Sequence, residues 1–252
     1  MTRNAIIKVR NLTAGYGEDA VILHDVSFDV HEGEIFVILG GSGCGKSTLL
    51  KHLIGLIPPM TGEVIIDGDD ISRCNEETFH RILQKIGISY QGGALFGSMT
   101  LAENVGLPIG EYTDLPPDSM AALIKMKLGL VQLDGFENHL PSEISGGMQK
   151  RAGLARAMAL NPKILFFDEP SAGLDPVTSA GLDNLIIQLN RNLGTTMVIV
   201  THELASIFAV AHRVIMLDKR VKGIIAEGDP EYLREHSQNR FVKQFFNRRA
   251  EA

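Results

Sequence analysis

"IFVILGGSGCGKSTLL", residues 35–50, joins an apolar run to a loop dense in glycine, then a lysine, two hydroxyl residues and leucines. The run Ile35–Leu39 contains no polar residue, which reads as a strand buried on both faces of a parallel sheet. From Lys46 the pattern is helical to about Ile57, where Pro58 and Pro59 stop it. Between strand and helix stand Gly40, Gly41, Gly43 and Gly45, and each glycine costs a helix about 1 kcal/mol relative to alanine. The spacing Gly40-x-x-x-x-Gly45-Lys46-Ser47 is that of a phosphate-binding P-loop, with the flanking strand and helix that this loop requires. Bare backbone lets the N–H groups of the loop, from Gly40 and Gly41 through Ser42, Gly43, Cys44 and Gly45, turn toward phosphate oxygens. The helix start, with Thr48 in its first turn, adds a positive dipole end. Lys46 brings a full charge, and the Ser47 hydroxyl is suited to ligate Mg²⁺.

Outward from this loop the buried-strand pattern recurs in "KILFFDE" (163–169), "TMVIVTH" (196–202) and "RVIMLD" (213–218). Leu182, Leu185, Ile186 and Leu189 fall at i, i+3, i+4 and i+7, one apolar helix face. Strands alternating with helices predict an α/β fold, a P-loop NTPase core of RecA-like type built on a parallel sheet. "AIIKVRNLT", "DVSFDV" and "GEVIIDG" have hairpin character and predict a small antiparallel β subdomain. In residues 92–160 the strand signals fade, while "DSMAALIKMKLGLVQL" and "GGMQKRAGLARAMAL" read as helices. The expected organisation is one domain: a core from 1–91 and 161–229, an inserted helical subdomain at 92–160, and a tail at 230–252.

Composition narrows the function. The chain has 252 residues and a net charge of −6, which argues against nucleic acid as a partner. No run approaches the ~18 apolar residues of a membrane span. Met1-Thr2-Arg3-Asn4 lacks an apolar signal segment, so the expected location is the cytoplasm. Cys44 and Cys74 are the only cysteines, read as reduced thiols too few for a metal cluster. Asp168 ends a buried strand, where a second Mg²⁺-positioning carboxylate belongs in P-loop enzymes. Glu169 follows at once, placed to polarise a water attacking the γ-phosphate. No Asn-Lys-x-Asp stretch supports guanine selectivity.

A second glycine motif, "ISGGMQKR" (144–151), opens a helix at Ser145, Gly146 and Gly147, roughly a hundred residues beyond the first and in another subdomain. One γ-phosphate does not need two such sites from one chain. The second makes sense if it closes over nucleotide bound to another copy.

With both motifs in place, the chain resembles the ATP-binding subunit of ABC transporters over nearly its whole length. That resemblance implies ATP and Mg²⁺ as ligands and roles for isolated residues. Tyr16 is similar to the aromatic that stacks on adenine, and Gln91 to the glutamine that senses Mg²⁺ and the attacking water. Ser145, Gly146 and Gly147 resemble the signature motif, Asp175 the D-loop aspartate, and His202 the switch histidine that contacts γ-phosphate. Ile144 and Met148 depart from the family's usual leucine and glutamine. "SYQGGALFGSMTLAENVGLPI", "SGGMQKRAGLARA" and "DEPSAGLDP" are most similar to ATPases of Mla/Mce-type transporters, which move phospholipids or other lipids between membranes. This implies a homodimer held peripherally on the cytoplasmic face of the inner membrane. Its partners would be integral-membrane permease subunits, an Mce-domain lipid-binding protein and a small STAS-domain subunit. The alternative is a soluble ABC ATPase of an iron–sulfur assembly system.

Three further expectations follow from single stretches. Ala94, Leu95, Phe96 and Met99, just after Gln91, are expected to line an apolar groove that seats a permease helix. The Cys44 thiol, between P-loop glycines, is expected to be shielded by bound ATP. Phe241, Val242, Phe245 and Phe246, ringed by Arg240, Lys243, Arg248 and Arg249, form an apolar stripe, expected to dock on a neighbouring subunit.

Overall fold

The computed structural model describes residues 4–17 and 20–248. Strands β1 (Ala5–Gly15) and β2 (Val21–His31) pair antiparallel, with Ile7 opposite Val30 and Val9 opposite Phe28. The wholly buried β3 (Ile35–Gly40) leads through the glycine loop into helix α1 (Lys46–Leu53). β4 (Thr61–Ile66) returns beside β1, and β5 (Asp69–Asp70) completes an antiparallel sheet ordered β2-β1-β4-β5. Helix α2 (Glu76–Lys85) precedes β6 (Ile86–Ser89). Three helices then follow with no strand between them: α3 (Leu101–Tyr112), α4 (Pro117–Leu130) and α5 (Gly146–Ala157). Alternation resumes with β7 (Ile164–Asp168), α6 (Pro176–Leu193), β8 (Thr196–Val200), α7 (Leu204–Val210) and β9 (Arg213–Asp218). β10 (Gly223–Gly228) precedes two short helices, α8 (Pro230–His236) and α9 (Arg240–Phe246).

The second sheet runs β10-β9-β3-β8-β7-β6, parallel except for β10. Its apolar runs are explained by what covers each face. Ile35, Val37 and Leu39 point into one cluster with Val105, Leu128, Ala155 and Ile186 from the helices. Phe36 and Ile38 point into the other, with Ile7 and Val9 of the antiparallel sheet and Leu49 of α1. A strand packed on both faces has no use for a polar side chain, so alternation disappears from its sequence.

Helix α1 is shorter than its pattern suggests. It ends at Leu53, before the prolines, because Gly55 turns left-handed at φ 72°. The Leu56 N–H reaches back to the Lys51 carbonyl at 2.9 Å and the Gly55 N–H to that of His52 at 3.2 Å, a Schellman closure. Helix α3 went unread because Gly106, Pro108 and Gly110 dilute its pattern, yet its start is written in "TLAE". Thr100 and Glu103 form a capping box there.

The C-terminal stripe requires a correction. Val242 is fully buried and Phe246 nearly so in the chain's own core, with Phe241 and Phe245 packed against the same cluster. The Phe246 ring lies 5.7 Å from that of Phe208 in α7, and the Arg220 guanidinium sits 4.7 Å over Phe241. Surrounding charge suggested a docking face, but burial against self removes the reason for a neighbour to cover it. Arg249, part of that charged surround, lies outside the described residues. Phe246→Ala is therefore expected to destabilise the isolated chain by about 3–5 kcal/mol. Urea unfolding would test this, and a midpoint equal to the parent's would contradict the docking on self.

Candidate active site

The sheet order brings together the ends of three strands that are distant in sequence. β3 pairs with β8, and β8 with β7, so the glycine loop after β3, Asp168 at the end of β7 and His202 just past β8 meet at one edge. The carboxyl ends of parallel strands are where such sheets bind ligands.

Two glycines in the loop are structurally required. At Gly40 (φ 148°) a Cβ would lie 2.4 Å from the Leu217 carbonyl oxygen and 2.6 Å from Cys44 Sγ. At Gly45 (φ 103°), the residue that starts α1, a Cβ would lie 2.8 Å from Ile22. Lys46 curls over this loop, its Nζ donating to the Gly40 carbonyl at 2.9 Å and the Gly41 carbonyl at 3.3 Å. Ser42, Gly43 and Ser47 are exposed, while Thr48 is buried. Cys44 is corrected: its side chain is 2% exposed and belongs to the core cluster beneath the loop. Burial pushes its thiol above the ordinary range, so core packing, not nucleotide, protects it.

The two acids differ. Burial, and then the neighbouring Glu169, raises the Asp168 carboxyl above its usual range, while the positive charges of Lys51 and Lys46 oppose that shift. Asp168 Oδ1 and Glu169 Oε2 are buried with no hydrogen-bond partner. Buried, unsatisfied oxygens of this kind are costly in a finished core and point to a missing cation or donor. Glu169 has φ 48°, unusual for a residue with a side chain, and its N–H is held by the Val200 carbonyl at 2.8 Å. Its other carboxylate oxygen, Oε1, lies 2.7 Å from His202 Nδ1. His202 itself is 61% exposed at the side chain.

Tyr16 stands at the rim, 56% exposed. Its hydroxyl lies 3.4 Å from Thr48 Oγ1 and accepts from Lys51 Nζ at 3.3 Å, and these two contacts draw the phenol below its ordinary range. Gln91 is exposed in the turn after β6. Ser145 caps α5, accepting the Met148 N–H at 3.3 Å, so position 148 serves the motif through its backbone. Ser145 and Gly146 are exposed and Gly147 is buried. Asp175 caps α6, accepting from the Val177 and Thr178 N–H groups at 3.0 and 3.1 Å. Among the described residues, no hydrogen bond or ion pair joins Ser145, Gly146 or Asp175 to the P-loop. Two groups at the site escaped sequence reading: Lys51, which lies 5.5 Å over the Tyr16 ring, and Lys150. Lys51 was legible only as a basic residue one helical turn past Ser47. Nothing in the sequence near Lys150 names its carbonyl partners.

The groove after Gln91 is partly as expected. Ala94 and Phe96 line an apolar groove with Leu83, Ile88, Leu107 and Tyr112. Leu95 instead packs on the core, and Met99 opens onto a separate groove between α3 and α4.

A glycine loop and an acid pair gathered on such a sheet, with an antiparallel sheet at its flank, define a P-loop nucleotide hydrolase. More narrowly, the chain belongs to the ABC transporter family: that family's model matches residues 23–172, more than half of the chain. It is an ATPase, the ATP-binding subunit of an ABC transporter. A probable ribonucleotide transport ATP-binding protein, mkl, of Mycobacterium leprae is 42% identical over 99% of this chain and 71% of its own length. The intermembrane phospholipid transport system ATP-binding protein MlaF of Haemophilus influenzae is 40% identical over 95% and 89% respectively. The dimeric ATP-binding cassette MJ0796, in a post-hydrolysis state bound to ADP and Pi, matches with TM-score 0.80 at 33% identity, covering 88% of this chain and 98% of that one.

Proposed function

We propose that this subunit powers phospholipid movement between membranes, with two copies closing over ATP. The observation that carries the cargo is the 40% identity to MlaF, spanning nearly all of both chains. Adenine stacks on Tyr16. The phosphates settle among the N–H groups of residues 40–48, and Lys46 exchanges its bonds to the Gly40 and Gly41 carbonyls for phosphate oxygens. Ser47, Asp168 and Gln91 would hold Mg²⁺, and the unpartnered, buried Asp168 Oδ1 fits such a cation. Bound there, the ion supplies positive charge against the phosphates. Glu169 takes the proton of the attacking water, and His202, at 2.7 Å, orients its carboxylate and contacts the γ-phosphate.

Ser145, Gly146 and Gly147 meet the nucleotide of the second copy, with Asp175 beside them. Ser145 and Gly146 are exposed, open to an approach from another copy. On this reading a permease segment sits in the groove at Ala94 and Phe96, and the subunit is held peripherally on the cytoplasmic face of the inner membrane. Among the described residues no helix is long and apolar enough to cross it. An Mce-domain protein and a small STAS-domain subunit complete the assembly.

The similarity to mkl favours a second reading, ribonucleotide cargo. Affinity purification of the tagged chain from detergent-solubilised membranes, with mass spectrometry of the bound material, separates them. Phospholipid with membrane subunits is expected. Ribonucleotide cargo would replace the reading, and a scaffold lacking membrane proteins would favour iron–sulfur assembly.

A further inference from the structure

Lys150 belongs to the helix that begins at Ser145, yet its ammonium works on another segment. Nζ donates to the Pro170 carbonyl at 2.7 Å and to the Ala172 carbonyl at 2.5 Å. Those carbonyls lie in the turn that directly follows Glu169. The Ala172 N–H in turn donates to the Glu169 carbonyl at 3.2 Å. The turn is thus bonded at one end to the Glu169 backbone and at the other to a lysine of α5. Glu169 needs such support. A left-handed backbone at a residue with a side chain persists only where its surroundings over-determine it. Helix α5 is itself a fixed point, because Gly147 packs so closely on α6 that a Cβ would lie 2.6 Å from Thr178. Burial lowers the affinity of Lys150 for its proton, offset by the fields of Glu203 and Glu169. Two backbone carbonyls are its hydrogen-bond partners in the turn, and a charged donor to carbonyls is stronger than a neutral one.

We propose that Lys150 is a positioning residue for ATP hydrolysis: it fixes the Pro170–Ala172 turn and through it holds the Glu169 carboxylate in its working place. The inference rests on Glu169 being the general base. It gives a role to a residue of "ISGGMQKR" other than the Ser145, Gly146 and Gly147 that face phosphate. Lys150 touches neither the P-loop nor, on this reading, nucleotide, so its removal should act on the rate and not on binding.

The test measures steady-state phosphate release by the full chain against ATP concentration for the parent, Lys150→Met, Lys150→Arg and Glu169→Gln, with thermal midpoints recorded in parallel. Lys150→Met keeps the aliphatic stem and removes the donor. Its kcat is expected to fall about 10–100-fold, the range that slight misplacement of a catalytic group produces. KM for ATP and the thermal midpoint should stay near the parent's. Lys150→Arg, which can still donate to both carbonyls, should recover most of the rate. Parent-like kcat in Lys150→Met overturns the inference. So does a loss that appears in KM, or one that arginine fails to restore. A Glu169→Gln variant that still turns over would instead remove the base assignment itself. An inactive Glu169→Gln beside a fully active Lys150→Met would remove the role of Lys150 alone.

Discussion

Glu169→Gln is expected to bind ATP as the parent does and to hydrolyse it slower by a factor on the order of 10²–10⁴. The amide keeps the shape of the carboxylate but cannot take a proton from water. It also changes the 2.7 Å contact to His202 Nδ1, since the side chain no longer carries charge. If dimer opening depends on hydrolysis, the variant should accumulate as an ATP-bound dimer. Phosphate release and size-exclusion chromatography, each with and without Mg-ATP, measure the two halves of this expectation. Turnover close to the parent's would remove Glu169 from the role of base.

Mixed dimers should show the second large effect. Lys46→Ala removes the cation that now spans the Gly40 and Gly41 carbonyls. Ser145→Arg places bulk and charge at the exposed start of α5, where the parent side chain caps the helix. Each homodimer should be inactive. A dimer with one copy of each variant has one doubly damaged site, and one site whose P-loop and signature are both intact. Nucleotide binding should return at that second site, even if turnover requires both. Equilibrium binding of labelled ATP to tagged, separately purified heterodimers would show it. Normal hydrolysis by the Ser145→Arg homodimer would exclude a signature acting on its partner's nucleotide.

Part of this architecture is legible in the sequence. The P-loop strand, its helix and the strand ending in Asp168 announce themselves, because burial on both faces and a φ that only glycine tolerates leave compositional marks. The antiparallel sheet was visible in its first three strands. β5 and β6, of two and four residues, were too short to signal. Pro58 and Pro59 mark a stop for α1 in the sequence, but the left-handed Gly55 ends it a turn earlier. The acid pair was legible as a pair, but the contact of Glu169 with His202 joins residues 33 apart and depends on β7 lying beside β8. Lys150 was hidden for a related reason: its partners are carbonyl oxygens, which every residue possesses. The C-terminal stripe was recognised as apolar and assigned to the wrong surface, since amphipathicity says that a face is covered and not what covers it.

The pairing of β3 bears on how the chain is made. Its neighbours are β8, where Ile35 faces Met197, and β9, where Phe36 faces Arg213. Both lie beyond residue 195, so the central strand leaves the ribosome long before either partner exists. At ordinary rates of synthesis the wait is on the order of ten to thirty seconds. During that time Ile35–Gly40, apolar throughout and lacking strand neighbours, is the segment most open to chaperones or to aggregation. Pairings so distant in sequence also close slowly. Nascent chains arrested before β8 should therefore remain protease-sensitive around residue 35, and protection there should appear only once β9 has emerged.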